Sequence, residues 1–568
     1  MLGGRLIAAA AVALAVSAPA IAAAAPSPAV LVTAAPADAD SLGPAARPAL
    51  PAASLDRLER RAGRRLTELR RLYRVEAPAA AARRLAGRLD ARPGIEAVVA
   101  PPPPPPAVCR EEPPGGWPVL DPAAATPDLS PYQDYRLGLG IPDGAAGAGV
   151  RVADVEYEWR RTHEELGDRG LPAPVLTPGG LAEAFKVEEH GTAVLGILGA
   201  DDDVSGITGL AQAAQIEPLS PFFQPAPQVY DPLRATLEAS LRLRPGDVLL
   251  IEQQTQMGTP PNTVFAPIEA LPPMRDLIRA VVDAGIVVVE PAGNGDRDLA
   301  SFNLPWLAGP GDPGDSGALV VGAGGSPSAG TDLARTTGPS GSNYGARVDL
   351  QGFGAGVLTS GYGEGIGTPE PKDRAYTSCF DGTSSASATV AGAVAALQGM
   401  ARAARGAPLA PPAVRAALVA TGLPQPDVSE PIGPRPQVSA AAALVGAVAP
   451  PSTSEEPAAV PARPPAAARR SPRPSAPPVR LAARGANGRL DRRAGTLTIT
   501  LRGLAPRAIV FVGGRRVRVL RDRVVLDDVR PRRFLLVVSA PSTRRLAYAV
   551  AGFRIVVPPR GPVRIARL

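Results

Sequence analysis

Apolar positions along the chain fall into three regions of different period. Leu55, Leu58, Leu66, Leu69 and Leu72 stand on an Arg/Glu background and predict an amphipathic helix. Tyr73–Glu76 then reads as a short strand and Ala79–Leu89 as a second helix, with Leu85 and Leu89 four apart. Pro93-Gly94 marks a turn before a strand over Ile95–Val99. From about residue 146 the pattern alternates between short apolar runs and helical periods. Gly149–Asp154, Val248–Glu252, Gly285–Val289 and Ala318–Gly322 read as buried strands, the first ending in an acid. His190–Leu198, Leu233–Leu241, Met274–Ala284 and Ser384–Ala404 read as helices between and after them. Alternating elements of this kind predict an α/β domain, a mostly parallel sheet with helices on both faces. Near the C-terminus the period shortens to two. Thr496–Leu501 alternates, Ala508–Val519 turns at Gly513-Gly514, and Arg533–Val538, Leu546–Ala551 and Phe553–Val557 continue as strands of a small all-β domain.

The segments between these regions set the boundaries. Residues 1–25 read as an export signal: Arg5 precedes an apolar run from Leu6 to Ala25, with small residues for cleavage at Ala20-Ile21-Ala22 or Ala22-Ala23-Ala24. Pro19 interrupts the run, which argues against a membrane anchor. Residues 26–54 are Ala/Pro-rich and are expected to be flexible. An α+β unit follows over 55–100, then six prolines at 101–106 in polyproline II conformation. The α/β domain spans 107–450, a Pro/Ala/Arg/Ser-rich linker 451–478 and the all-β domain 479–568. No segment after the signal is apolar enough to span a bilayer, so a secreted or extracellular protein is expected, with cell-wall association as one destination.

Composition adds constraints. The chain has 568 residues, 45% of them hydrophobic, too many for one ordinary domain and enough for a large core. Lys186 and Lys372 are the only lysines, so the Arg excess reads as coding bias. The net charge of +7 is unevenly distributed: +2 over 1–149, −14 over 150–450 and +19 over 451–568. The basic tail either attaches to an anionic cell-surface polymer or is a solvated arginine surface.

Three motifs carry chemistry. Val150–Asp154 places a carboxylate at the C-terminal end of a parallel strand, the edge where ligands of open α/β sheets gather. His190-Gly191-Thr192 opens a helix of small residues. Gly382-Thr383-Ser384-Ser385-Ala386-Ser387 sets Ser384 at the start of a buried helix, where free N–H groups favour developing negative charge. Alone, each has a bland alternative as a loop acid, a chance histidine or a helix cap. Together they give the chain order Asp, His, Ser.

On these motifs, with Val287–Gly295 and its Ala292-Gly293-Asn294, the sequence resembles the subtilisin-like serine peptidases (subtilases, peptidase family S8) over residues 107–450. The resemblance implies a three-layer subtilisin-like domain acting on protein or peptide substrates as a serine endopeptidase. Ser384 is then the nucleophile, His190 the general base and Asp154 its orienting acid, with Asn294 in the oxyanion hole. Residues 55–100 resemble the family's propeptide, which implies a zymogen inhibited by its own N-terminal unit. No cofactor is implied for the chemistry. Asp201-Asp202-Asp203 stands near where the family binds structural calcium, and an exposed acidic turn is its plain alternative. His163 is expected to be structural. Cys109 and Cys379, the two cysteines, are expected to pair in an oxidising compartment.

Departures from the family pattern are also visible. Val155-Glu156 follows Asp154 in place of Ser/Thr-Gly, and Ala388 stands for the usual proline. Glu252-Gln253-Gln254 replaces the Ser-x-Gly strand of the family's substrate cleft, so no side-chain preference carries over.

Overall fold

The computed structural model describes residues 29–99 and 120–447, apart from 122–123, 175–186, 204, 224–228, 258–263, 308–313, 328, 339–340 and 364–369, and, between 485 and 567, the strand backbones. The expected signal, the proline run and the linker at 451–478 lie outside the described residues.

The N-terminal unit is larger than its sequence pattern suggests. Strands β1 (Ala29–Thr33), β2 (Ala46–Pro48), β3 (Leu72–Glu76) and β4 (Glu96–Val99) form one antiparallel sheet in the order β2-β3-β1-β4. The segment expected to be flexible over 26–54 therefore supplies a central strand and an edge strand. It escapes pattern reading because β1 is apolar on both faces. Val30 and Val32 pack toward helix α3 (Ala79–Asp90), while Leu31 packs on the other side, so no alternation is visible. The single helix expected over 55–72 is two pieces, α1 (Ala52–Ala62) and α2 (Thr67–Arg70), separated after Gly63.

The α/β domain is built on six strands. After α4 (Asp134–Gly138) come β5 (Arg151–Val155), α5 (Val187–Gly199) and β6 (Gln215–Leu219). A short pair, β7 (Phe222–Phe223) and β8 (Val229–Tyr230), leads to α6 (Pro232–Ser240), β9 (Val248–Ile251), β10 (Gln254–Met257), β11 (Val264–Pro267) and α7 (Pro272–Asp283). Then follow β12 (Val287–Pro291), β13 (Leu319–Gly324), β14 (Leu350–Phe353), the antiparallel pair β15 (Val357–Ser360) and β16 (Tyr376–Phe380), and helices α8 (Gly382–Arg405), α9 (Pro411–Thr421) and α10 (Val438–Leu444). The large sheet has the order β14-β13-β12-β9-β5-β6, all parallel, as the sequence period predicts.

Alternate residues of this sheet face two separate cores. Val152, Val248, Leu250, Val287 and Val289 pack with α5 and α8. Ala153, Val155, Leu249, Ile251 and Val288 pack with α6 and α7. The second core also takes in Leu55, Leu58, Leu66, Leu69 and Leu72 of the N-terminal unit, each worth roughly 2 kcal/mol when buried. The five leucines thus make one helix-period stripe in sequence and one contact surface in the fold.

Ionic contacts fix the docking. Arg61 donates to the carbonyls of Ser240 and Leu243 at 2.8 and 2.7 Å, capping the C-terminal end of α6. Arg64 meets Asp283 at 2.6 Å. Arg74 of β3 meets Asp231 at 2.6 Å, and Asp231 also caps the N-terminus of α6 by accepting from Arg234 N–H.

The C-terminal strands form a three-stranded sheet, β17 (Gly485–Asp491), β18 (Thr496–Arg502) and β21 (Arg523–Leu526), and a five-stranded one in the order β20-β19-β22-β23-β24. In the latter, β19 (Ile509–Val512) and β20 (Arg515–Val517) are a hairpin, followed by β22 (Arg532–Pro541), β23 (Tyr548–Val557) and β24 (Arg564–Arg567). The two strands expected over 546–557 are one, because Gly552 pairs in register with Val537.

Replacing Arg74 with Ala leaves Asp231 buried beside no cation of the N-terminal unit. The expected cost is on the order of 3 kcal/mol. It should appear as a lower urea midpoint and faster amide exchange at the start of α6. Unchanged exchange there would show that the pair does not hold the unit.

Candidate active site

The C-terminal edge of β5 and β9 carries three acids on one face of the sheet. Asp154 pairs in register with Leu250, so Asp154 and Glu156 on one strand and Leu250 and Glu252 on the next point the same way, toward α5 and α8. The ladder continues past the strand ends, with Glu156 N–H donating to Leu219 and Glu252 N–H to Val155. All three carboxyl groups are buried.

His190 lies in the first turns of α5 and meets Glu156, not Asp154. Its Nδ1 is 2.9 Å from Glu156 Oε2. Glu156 Oε1 accepts from Tyr157 N–H at 2.6 Å, so both oxygens are engaged. Neither oxygen of Asp154 has a hydrogen-bond partner among the described residues. The assignment of Asp154 as the orienting acid is corrected accordingly. The cause is reach: Asp154 is still inside the sheet, whereas Glu156 stands beyond its edge, at the level of the imidazole. The sequence carried a signal for this in Val155-Glu156, where a second acid on the same face replaces the family's Ser/Thr-Gly.

Tight packing fixes the ring. A Cβ at position 191 would sit 1.9 Å from Glu158 O and 2.6 Å from Glu156 Cγ, so Gly191 is what lets α5 close on the acid-bearing loop. Tyr157 and Phe380 stand edge-on to the imidazole, with centroids 5.9 and 5.5 Å away. Nε2 of His190 has no partner among the described residues. Burial holds the imidazole pKa down to about 4, with the negative charge of Glu252 opposing. The ring is therefore neutral at neutral pH.

The helix N-terminus arrives from β16. Gly382 at φ +82° makes the turn into α8, placing Thr383 and Ser384 in its first turn, where N–H groups lack intrahelical acceptors. Asn294, just past β12, accepts from both Thr383 N–H and Thr383 Oγ1 at 2.9 Å. With Oδ1 held there, the Asn294 amide nitrogen is turned away from Thr383. Gln254 Oε1 accepts from Asn294 N–H at 2.9 Å and so braces the same loop. One turn below Ser384, Ser387 Oγ donates to Glu252 Oε1 at 2.6 Å, tying α8 to the end of β9. Ser384 and Asn294 are the members nearest solvent, at 9% and 6% exposure, above the buried His190 and Glu156.

The remaining candidates lie elsewhere. His163 is buried, with Nε2 2.8 Å from Ala375 O and Nδ1 accepting from Glu165 N–H, a structural brace. Asp201, Asp202 and Asp203 do not converge: they engage Arg169, Gln212 and Ser205 respectively. Among the described residues no group of three His, Cys, Asp or Glu side chains is arranged to hold a metal ion. Cys379 on β16 is disulfide-bonded; Cys109, the partner expected from the sequence, lies outside the described residues. Gln253 bridges Tyr230 and Val155 rather than opening a cleft. No described helix is long and apolar enough to cross a membrane.

No protein-family model and no curated protein matches the chain. Solved structures do. Fervidolysin from Fervidobacterium pennivorans, a keratinolytic enzyme related to subtilisin, is 15% identical with a TM-score of 0.45 over 95% of this chain and 76% of that one. A protease from Pseudoalteromonas arctica PAMC 21717 is 20% identical with a TM-score of 0.39, over 56% and 99%. The PatG macrocyclase in complex with peptide is 17% identical with a TM-score of 0.39, over 56% and 98%.

His163 and His190 are the two histidines of the sequence, so each imidazole can be followed by nitrogen NMR. Both are expected to titrate below the free-imidazole value, His190 near pH 4. Glu156→Gln should move the His190 Nδ1–H resonance strongly and Asp154→Asn only slightly. The reverse order would return the orienting role to Asp154.

Proposed function

We propose that the chain is a subtilisin-like serine endopeptidase using Glu156, His190 and Ser384. The observation that carries this reading is the buried Glu156–His190 bond, which leaves Nε2 without a partner among the described residues, at the sheet edge to which the Glu252–Ser387 bond ties α8, with Ser384 in its first turn. Asn294, locked through Oδ1 onto the residue before Ser384, supports it independently.

The chemistry follows from these groups. Ser384 Oγ bonds to the scissile carbonyl carbon while its proton passes to His190 Nε2. The positive ring keeps its Nδ1–H on Glu156. The carbonyl oxygen takes the electron pair and is received by the Asn294 amide and the Ser384 N–H. Collapse breaks the C–N bond, and the proton on Nε2 leaves with the amine. Water then repeats both steps on the acyl-enzyme, returning the proton to Ser384.

The N-terminal unit fits an inhibitory propeptide, since it shares a core with α6 and α7 and is clamped there by Arg61, Arg64 and Arg74. Export and an oxidising destination are proposed from residues 1–25 and from the disulfide at Cys379.

A second reading concerns the basic C-terminal domain as an attachment module for anionic cell-surface polymer, with the peptidase as its cargo. In the strand register Arg533 opposes Val556, which opposes Arg564, and Arg554 opposes Leu535 one row along. Three arginines therefore share one sheet face. Replacing Arg533, Arg554 and Arg564 together should lower the salt needed to elute the full chain from teichoic acid resin. Replacing Arg515, Arg532 and Arg567, which the register puts on the other face, should lower it much less. Equal losses would reduce the effect to bulk charge.

For the peptidase reading, Ser384→Ala should lower kcat by roughly 10^6 and Glu156→Gln by about 10^4, both with the fold intact. Asn294→Ala should cost about 10^2–10^3 in kcat with little change in KM. Peptide hydrolysis that survives Ser384→Ala would end the reading.

A further inference from the structure

The loop that carries Asn294 is gripped by a residue far along the chain. Asn343 lies between β13 and β14 and is fully buried. Its side-chain amide makes three hydrogen bonds, all to backbone. Nδ2 donates to Ala292 O at 2.7 Å and to Phe265 O at 2.8 Å. Oδ1 accepts from Arg297 N–H at 3.0 Å. The backbone N–H of Asn343 donates to Gly293 O at 2.9 Å. Asn294 thus stands between residues that Asn343 holds, Ala292 and Gly293 before it and Arg297 after it. The amide can sit only one way round, because a reversed one would set its oxygen against two carbonyls. The fit is close. A Cβ at Gly293 would fall 2.9 Å from Asn343 Nδ2, and one at Gly295 would fall 2.6 Å from Asn343 Oδ1. The glycines on either side of Asn294 are what let the loop wrap this amide.

Asn343 is itself anchored to the large sheet. Its carbonyl accepts from Ser342 Oγ at 2.7 Å, and Ser342 Oγ accepts from Ala323 N–H of β13 at 2.9 Å. Arg335 donates to Ser342 O at 2.8 Å and pairs with Asp296, two residues past Asn294. The grip also takes in the β10–β11 hairpin. Phe265 belongs to β11, and Gln254, which accepts from Asn294 N–H, belongs to β10. Both strands of the hairpin therefore reach the loop, one through Gln254 and the other through Asn343.

We infer that Asn343 is a positioning residue for the oxyanion hole. It fixes the backbone on both sides of Asn294, while Thr383 of α8 fixes Asn294 Oδ1. The Asn294 amide nitrogen then has one direction before any substrate arrives. A donor of this kind is effective because it is already aimed where charge develops and has no reorganisation left to undergo. A misplacement of about 1 Å can cost on the order of 10^2 in rate. The inference rests on the peptidase reading, in which Asn294 receives the oxyanion.

A double-mutant cycle on the full chain separates positioning from mere support of the fold. Asn343→Ala should lower kcat by about 10–10^2 with KM within about twofold of the parent. In an Asn294→Ala background, where no amide remains to be aimed, the same change should cost less than about threefold. An equal loss in both backgrounds overturns the inference, as does a loss carried by KM or an unchanged kcat in Asn343→Ala. Should Asn343→Ala not fold, Asn343→Asp takes its place in the cycle under the same thresholds, since it keeps the acceptor for Arg297 N–H and loses both donors. The parent alone gives a further check by NMR. After transfer to deuterated solvent the Asn343 side-chain amide protons should exchange slowly, and exchange at the rate of a free amide overturns the grip without any variant. A parent that hydrolyses no peptide refutes the peptidase reading; an active parent whose cycle is additive refutes this inference alone.

Discussion

The site depends on one contact, a neutral imidazole buried against the carboxyl group of Glu156 at the edge of a parallel sheet. Burial alone disfavours charge on either group, and an isolated carboxylate there would be unstable. The Nδ1–Glu156 bond resolves this by giving each group its partner, and it dictates much of the surroundings. α5 must approach closely enough for the bond, which is why glycine follows His190. The ring must be held at its edges, which Tyr157 and Phe380 do. Glu156 must stand one step beyond the last strand residue, which makes the loop after Val155 tighter in sequence than in reach. The helix that carries Ser384 then needs only to arrive at the same edge, and Glu252 and Asn294, just past β9 and β12, anchor it.

The two faces of the large sheet divide the labour. The proposed chemistry lies on the face covered by α5 and α8, where Glu156 meets His190 and Glu252 meets Ser387. The face covered by α6 and α7 is turned to the N-terminal unit, which completes its hydrophobic core. Because strand residues alternate between these cores, each strand serves both without sharing a side chain. The arginines of the N-terminal unit contact ends of α6 and α7, so its hold on the domain combines apolar area with charged groups on helix termini.

The sequence made much of the α/β region legible because its strands and helices have distinct periods: the four strands and four helices read over 146–450 fall within a few residues of their places, while β6, β14, the β15/β16 pair, α9 and α10 were not read. The places of Ser384 and Asn294 were legible because glycines mark the turns beside them, Gly382 and Gly293 both having positive φ, and that of His190 because Gly191 marks a close approach of its helix. The acid was misassigned for a physical reason: Asp154 and Glu156 share a face, and only the distance to the imidazole separates them. β1 was missed because a strand buried on both sides has no period of two, and its five residues sit amid Ala and Pro. The Glu252–Ser387 bond joins residues 135 apart, and no local pattern announces it.

The placement of β1 gives the N-terminal unit an unusual mode of failure. The strand lies in the middle of its sheet, hydrogen-bonded to β3 on one side and β4 on the other, yet it begins at residue 29. Terminal trimming in most small domains erodes an edge and leaves the rest paired. Here the loss of five residues removes the seam itself, exposing two strand flanks and the leucines that faced α7. A cut within β1 would therefore remove pairing on two sides at once, and the unit's residence on the domain would be set by the rate of that cut rather than by an affinity.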